Sequence, residues 1–250
     1  MKRLLADGYP DIYSICRVFR DGEIGQNHLP EFTMLEWYRL DFELGDIIAD
    51  TTALIADCVE QPSLHKKAVI VDYSTAFQDS ANIDVFDVST EELAAAVSAD
   101  DALRESIGND HHAWLDLILT TKVAPAFDPD QLTILQHYPV SQAALARVCP
   151  GDERIADRFE VFHGVMELAN GYVELTNADE QRRRFDQDLQ TRKNTGRPGP
   201  RPDEQLLAAL DHGLPDCAGV AVGIERLQML HMQTDDIDNV VTFSPRTHHE

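Results

Sequence analysis

Cys217-Ala-Gly-Val-Ala-Val-Gly-Ile-Glu-Arg-Leu227 decides how the rest of the chain reads. As far as Ile224 the residues are small or β-branched and read as a strand. The strand runs without a turn into a helix opened by Glu225 and Arg226. Gly219, Ala221 and Gly223 would let a flat ring or a phosphate approach the backbone. Arg226, at the helix start, would stack on a purine or grip a phosphate. Plain close packing of strand on helix explains the same residues equally well. A dinucleotide fingerprint is excluded, because GxGxxG with its following acid is absent.

Upstream, Met166-Glu-Leu-Ala-Asn-Gly-Tyr-Val-Glu174 sets two carboxylates about the turn-forming pair Asn170-Gly171. The stretch 166–175 therefore reads as two short strands around that turn. The two acids would share a hard cation such as Mg²⁺ or hold an ammonium. Two solvated acids in an acid-rich chain is the plainer alternative. Nearer the start, 12–20 and 32–39 have strand composition and flank a polar loop bearing Gly22, Gly25, Asn27 and Pro30. Arg20, closing the first strand beside a loop that holds His28, offers a fork for phosphate. Alone, it is better explained as a solvated strand end.

Elsewhere, 43–60 carry one apolar face at helical spacing through Leu44, Ile47, Ile48, Leu54, Ile55 and Cys58. Residues 73–124 read as a helical insertion, with Ser89 and Glu92 as a capping box and His111-His112 opening a further helix. Strands return at 131–138 and 158–163, with a short helix between them near 141–148. A charged helix runs to about 193, a Gly- and Pro-rich basic loop spans 193–202, and a helix covers 203–211. Antiparallel strands interrupted by helices give an α+β class.

The 250 residues include 21 basic and 44 acidic ones, a formal net charge of −23. That excess of acid repels phosphate backbones and argues against a general nucleic-acid footprint. The 43% hydrophobic content suffices for a core and rules out wholesale disorder. Asp7, Gly8 and Pro10 cut short the apolar start, and no run is long enough to span a membrane, so a soluble cytoplasmic protein is expected. Cys16, Cys58, Cys149 and Cys217 form no CxxC pair and no zinc spacing; buried reduced thiols are expected.

Order and co-occurrence carry more than any one stretch. Phe19-Arg20, the loop, His28-Leu-Pro-Glu-Phe-Thr-Met-Leu-Glu-Trp-Tyr38, then Tyr138-Pro-Val-Ser-Gln-Ala143, then 158–176, then 215–230 resemble the lysyl branch of the class II aminoacyl-tRNA synthetase core. The first block is similar to motif 2 and the last to motif 3. Within that branch the chain resembles the elongation factor P–(R)-β-lysine ligase family over nearly its whole length. Ala221, standing where true lysyl-tRNA synthetases usually have glycine, favours the ligase side.

The resemblance implies a class II-like antiparallel sheet flanked by helices, and one catalytic domain over 1–250 with the helical insertion inside it. It implies ATP-dependent activation of lysine or (R)-β-lysine as an adenylate and transfer to a lysine of elongation factor P. Arg20 and Arg226 would be catalytic. Arg20, His28, Glu167, Leu168, Gly223 and Arg226 would bind ATP. Glu36, Tyr38, Glu174 and Ala221 would bind the amino acid, and Glu167 with Glu174 would hold Mg²⁺. A tRNA acceptor is not expected on so acidic a surface.

The chain departs from the family pattern in four places. Motif 1 and the Ser-Pro-Glu loop before Met-Lys-Arg-Leu-Leu5 are absent, which weakens the case for the family's homodimer. Gly22 stands where an acid is usual, with Glu23 next door, and Leu29 replaces a usual asparagine. These departures motivate a rival expectation, a catalytically impaired paralogue that binds an amino acid, a nucleotide or a partner.

Overall fold

In the computed structural model, which describes residues 1–194 and 199–244, seven strands form one sheet. A short helix α1 (Lys2–Ala6) leads into the hairpin β1 (Ile12–Phe19) and β2 (Glu31–Leu40). Helix α2 (Leu44–Val59) follows, opened by the reciprocal capping of Glu43 and Asp46. Next come β3 (Val69–Asp72) and the helices α3 (Tyr73–Ala81), α4 (Thr90–Ala96), α5 (Asp101–Ile107) and α6 (His111–Ile118). The remaining elements are β4 (Leu132–Pro139), β5 (Ile155–His163), β6 (Met166–Val173), α7 (Ala178–Asn194), α8 (Glu204–Gly213), β7 (Cys217–Gly223) and α9 (Ile224–Met232).

The strand order is β1-β2-β7-β6-β5-β4-β3. Every pairing is antiparallel except β3 with β4. The α+β expectation therefore holds in its antiparallel form. β7, late in the chain, inserts between β2 and β6, and this brings the two ends of the sequence together.

Register fixes what each face carries, because side chains alternate along a strand. One transverse row is Trp37, Val220, Gly171 and Phe159. It faces the main core, where α2 and α9 add Ile47, Ile55, Leu227 and Leu230. The next row, Glu36, Ala221, Asn170 and Glu160, points the other way. So does Tyr38, Gly219, Tyr172 and Arg158. The insertion packs its own core, with Tyr73, Phe77, Leu93 and Trp114 against Leu135, Tyr138 and Phe162 at the far side of the sheet. The capping box of Ser89 and Glu92 is present at α4.

Two expectations need correction. Residues 166–175 do not turn at Asn170-Gly171. Met166–Val173 run as the single strand β6, and Asn170 pairs with Glu160 on one side and Ala221 on the other. The turn lies earlier, at Gly164, whose φ of +54° suits glycine. Gly171 is glycine for space: a Cβ there would stand 2.7 Å from the Phe159 ring and 2.8 Å from the Gly219 carbonyl oxygen. The expected helix at 141–148 shrinks to a single 3₁₀ turn at Val140–Gln142. β3 was not foreseen, since its four residues add only an edge to β4. Within the 193–202 loop, 195–198 lie outside the described residues. No helix among the described residues is long and apolar enough to cross a membrane.

The tight fit at the sheet centre gives a direct test. Gly171→Ala should cost about 1–3 kcal/mol through overpacking, read as a lower urea midpoint with an unchanged m-value. An unaltered midpoint would show that Phe159 can move aside.

Candidate active site

On one face of β7, Ala221 and Gly223 form a floor without large side chains, and Gly219 on the same face is covered by the Tyr38 ring. A cleft over that floor is lined by Arg20, His28, Glu160, Glu167, Asn170 and Arg226, among others. Arg20 and Arg226, far apart in sequence, thus face one space. His28, Leu168, Ala221 and Gly223 also line it.

Arg226 is fixed by its neighbours. Its Nη1 donates to the Glu167 carbonyl at 2.9 Å and to Glu167 Oε2 at 3.3 Å. Its Nε donates to the Asn27 carbonyl at 3.3 Å. Nη2 meets His28 Nε2 at 2.6 Å, which makes that nitrogen the acceptor of a neutral imidazole. Burial, and then the Arg226 charge, hold His28 below its usual pKa, in keeping with a neutral ring. Beneath Arg226, the Glu225 carboxylate accepts from Thr33 N at 2.8 and 2.9 Å and from Thr33 Oγ1 at 2.8 Å. That bond pins the first turn of α9 to β2. Nothing in the sequence alone marks Glu225 for this role.

Arg20 reaches Glu23 Oε2 at 3.3 Å and lies 5.5 Å from the Phe32 ring centroid. Glu23 therefore supplies the carboxylate that Gly22 lacks. Leu29 is buried with Met229 and Ile237, so its apolar side chain is a packing group under the loop. Both departures thus have local physical reasons.

The two carboxylates expected to share a cation are separated. Glu167 stands at the start of β6 and Glu174 just beyond its end, roughly 23 Å of extended chain away. One ion cannot bridge them. The partner of Glu167 is Glu160 on β5, which the sequence reading missed. Both line the cleft, and the Glu167 charge is felt at Glu160, although their cross-strand partners are Phe162 and Asn170. Glu160 is buried, ion-paired to Arg158 at 2.6 Å and bonded by Asn170 Nδ2 at 3.1 Å. Burial, and then the Glu167 charge, push its carboxyl above the usual range. Two acids crowded beside a cleft are a hard-oxygen donor set that a divalent cation would relieve.

Glu36 and Tyr38 lie outside that cleft. They line a second cavity with Lys2 and Tyr172. The Tyr38 hydroxyl donates to Glu36 Oε1 at 2.6 Å. Glu174 lies beneath, with its side chain 1% exposed, against Lys2 Nζ at 2.5 Å. The open-face rows join the two spaces: Glu36 is next to Ala221, and Ala221 next to Asn170.

Of the cysteines, only Cys217 is buried; Cys16 and Cys58 are exposed and Cys149 is intermediate, so the expectation of buried thiols fails for three. His137, Cys149 and Asp157 bring ligand atoms within 4.8 Å of one another. Asp157 already accepts from Arg147 at 2.7 Å, and His137 meets Asp72 at 2.8 Å. Those bonds satisfy the two side chains without an ion.

The family model of class II tRNA synthetases (D, K and N) matches residues 1–247. The elongation factor P–(R)-β-lysine ligase of Klebsiella pneumoniae is 41% identical over 98% of this chain and 74% of its own length. Those of Pectobacterium carotovorum and Pseudoalteromonas translucida are 40% identical over 98% and 97% of this chain, each again over 74% of its own length. With its antiparallel sheet and its two-arginine cleft, the chain belongs to the class II tRNA synthetase family, in the group of the elongation factor P–(R)-β-lysine ligases.

Proposed function

We propose that the chain is an ATP-dependent amino-acid ligase that activates a lysine-type amino acid and passes it to a lysine side chain of elongation factor P. The observation that carries this reading is the convergence of Arg20 and Arg226 over the small-residue floor of β7. The relatives' names supply the donor and the acceptor.

In the first step a carboxylate oxygen of the amino acid attacks the α-phosphorus of ATP. The bond from that phosphorus to the bridging oxygen breaks, and pyrophosphate leaves. No protein nucleophile is needed; the chain contributes position and charge. Arg20 holds the α-phosphate, His28 lies near the outer phosphates, and Gly223 lets the nucleotide lie close to the backbone. Arg226 packs on the adenine and reaches the γ-phosphate. Glu160 and Glu167 would hold Mg²⁺, which would offset phosphate charge. Glu36, Tyr38 and Ala221 take the amino acid in the adjoining cavity. In the second step the acceptor ε-amine attacks the acyl carbon, the bond to AMP breaks, and the amine loses a proton to solvent.

Three measurements test this reading. Pyrophosphate exchange into ATP should depend on lysine or (R)-β-lysine; ATP binding without exchange for either donor would reject the ligase. Arg226→Ala should weaken ATP binding about tenfold or more, as loss of a charge-assisted contact does. An unchanged affinity by calorimetry would remove Arg226 from the nucleotide site. Glu160→Gln should raise the Mg²⁺ concentration for half-maximal exchange about 10–100-fold, whereas an unmoved Mg²⁺ dependence would assign the ion elsewhere.

A further inference from the structure

Lys2 lies on a five-residue helix, yet its side chain is 13% exposed. Leu5 holds that helix in place, packing with Tyr38, Leu210, Leu214 and Cys217. The Lys2 ammonium meets Glu174 Oε2 at 2.5 Å and lies 5.4 Å from the Tyr172 ring centroid. Burying such a pair is costly, and a surface site for either group would have been cheaper. Both Glu174 oxygens are buried without a hydrogen bond; Oε2 is ion-paired with Lys2, and Oε1 has no such ion pair among the described residues. Oε1 lies 3.2 Å from where a Cβ on Gly219 would stand, and the Tyr38 ring is closer still at 2.5 Å, so glycine is what seats both side chains there.

Glu174 is faced by Lys2 from α1, Glu36 and Tyr38 from β2, Tyr172 from β6 and Cys217 from β7. With both acids ionised, Glu36 and Glu174 against Lys2 leave one net negative charge. Without Lys2 there would be two.

We propose that Lys2 is a positioning residue of the amine subsite. It holds Glu174 ionised through one oxygen and leaves the other, together with one net negative charge, for a single substrate ammonium. This rests on the amino-acid ligase reading and assigns its amine specificity to a residue outside motifs 2 and 3. Burial raises the Glu174 carboxyl to about 7, and the Lys2 charge is the main influence against that rise. As pH falls through that value Glu174 takes up a proton, so the affinity for the ammonium is lost toward acid.

The test joins kinetics to a titration. In the unmodified chain the amino-acid KM should rise below about pH 7, with the same midpoint as the Glu174 carboxyl carbon followed by NMR, assigned with Glu174→Gln. Lys2→Met should raise the amino-acid KM about tenfold or more, leave the KM for ATP in place, and move the carboxyl midpoint upward. Lys2→Arg should restore most of both. Midpoints that disagree in the unmodified chain overturn the proposal, even if Lys2→Met fails to fold. So does an amino-acid KM that holds or falls in Lys2→Met; a fall would mark Lys2 as a competitor of the substrate. If the unmodified chain exchanges no pyrophosphate with any lysine-type donor, the ligase reading fails separately, and the carboxyl titration still decides whether Lys2 holds Glu174.

Discussion

Alternation along β7 is the constraint on which the site depends. Ala218, Val220 and Val222 go into the core beside α2 and α9, and Gly219, Ala221 and Gly223 are left on the other face. β7 is an interior strand, held between β2 and β6, so its register is pinned on both sides. A slip of one residue would send valines into the cleft and glycines into the core. The same register aligns Glu36, Ala221, Asn170 and Glu160 in one row, drawn from four segments spread over the chain. The strand ends where α9 begins, and Glu225 ties that start to Thr33. Arg226 is therefore delivered to the cleft by backbone geometry and not by a flexible loop.

Much of this was legible beforehand because the decisive stretches are local. Small residues, a strand and a helix start at 217–227 needed no partner to be read. Helix α2 showed its apolar face, and α4 its capping box. What escaped was set across strands. Asn170-Gly171 has turn composition, yet pairing on both sides and the Phe159 ring demand an extended chain there. The acid that shares the cleft with Glu167 is Glu160 on the neighbouring strand, whereas Glu174, seven residues along the sequence, stands beyond the other end of β6.

Two electrostatic environments lie on one face of the sheet. Around the first cleft, Arg20, Arg226 and Arg158 stand with Glu160 and Glu167, a mixture suited to polyanion and cation together. Around the second cavity, the acids Glu36, Asp203 and the buried Glu174 stand with Lys2 and Arg3, a set of carboxylates suited to an ammonium. Ala221, between Glu36 and Asn170, is where the two meet. An amino acid lying across that boundary would place its carboxylate toward the phosphates and its amine toward Glu36, the orientation that adenylate formation requires.

A crystal structure of the chain with Mg²⁺ and a non-hydrolysable ATP analogue tests the central claim most directly. The account places the triphosphate between Arg20 and Arg226, the base along Gly223, and the metal against Glu160 and Glu167. A nucleotide bound elsewhere on the chain, or a triphosphate in the cleft that touches neither arginine, would contradict it.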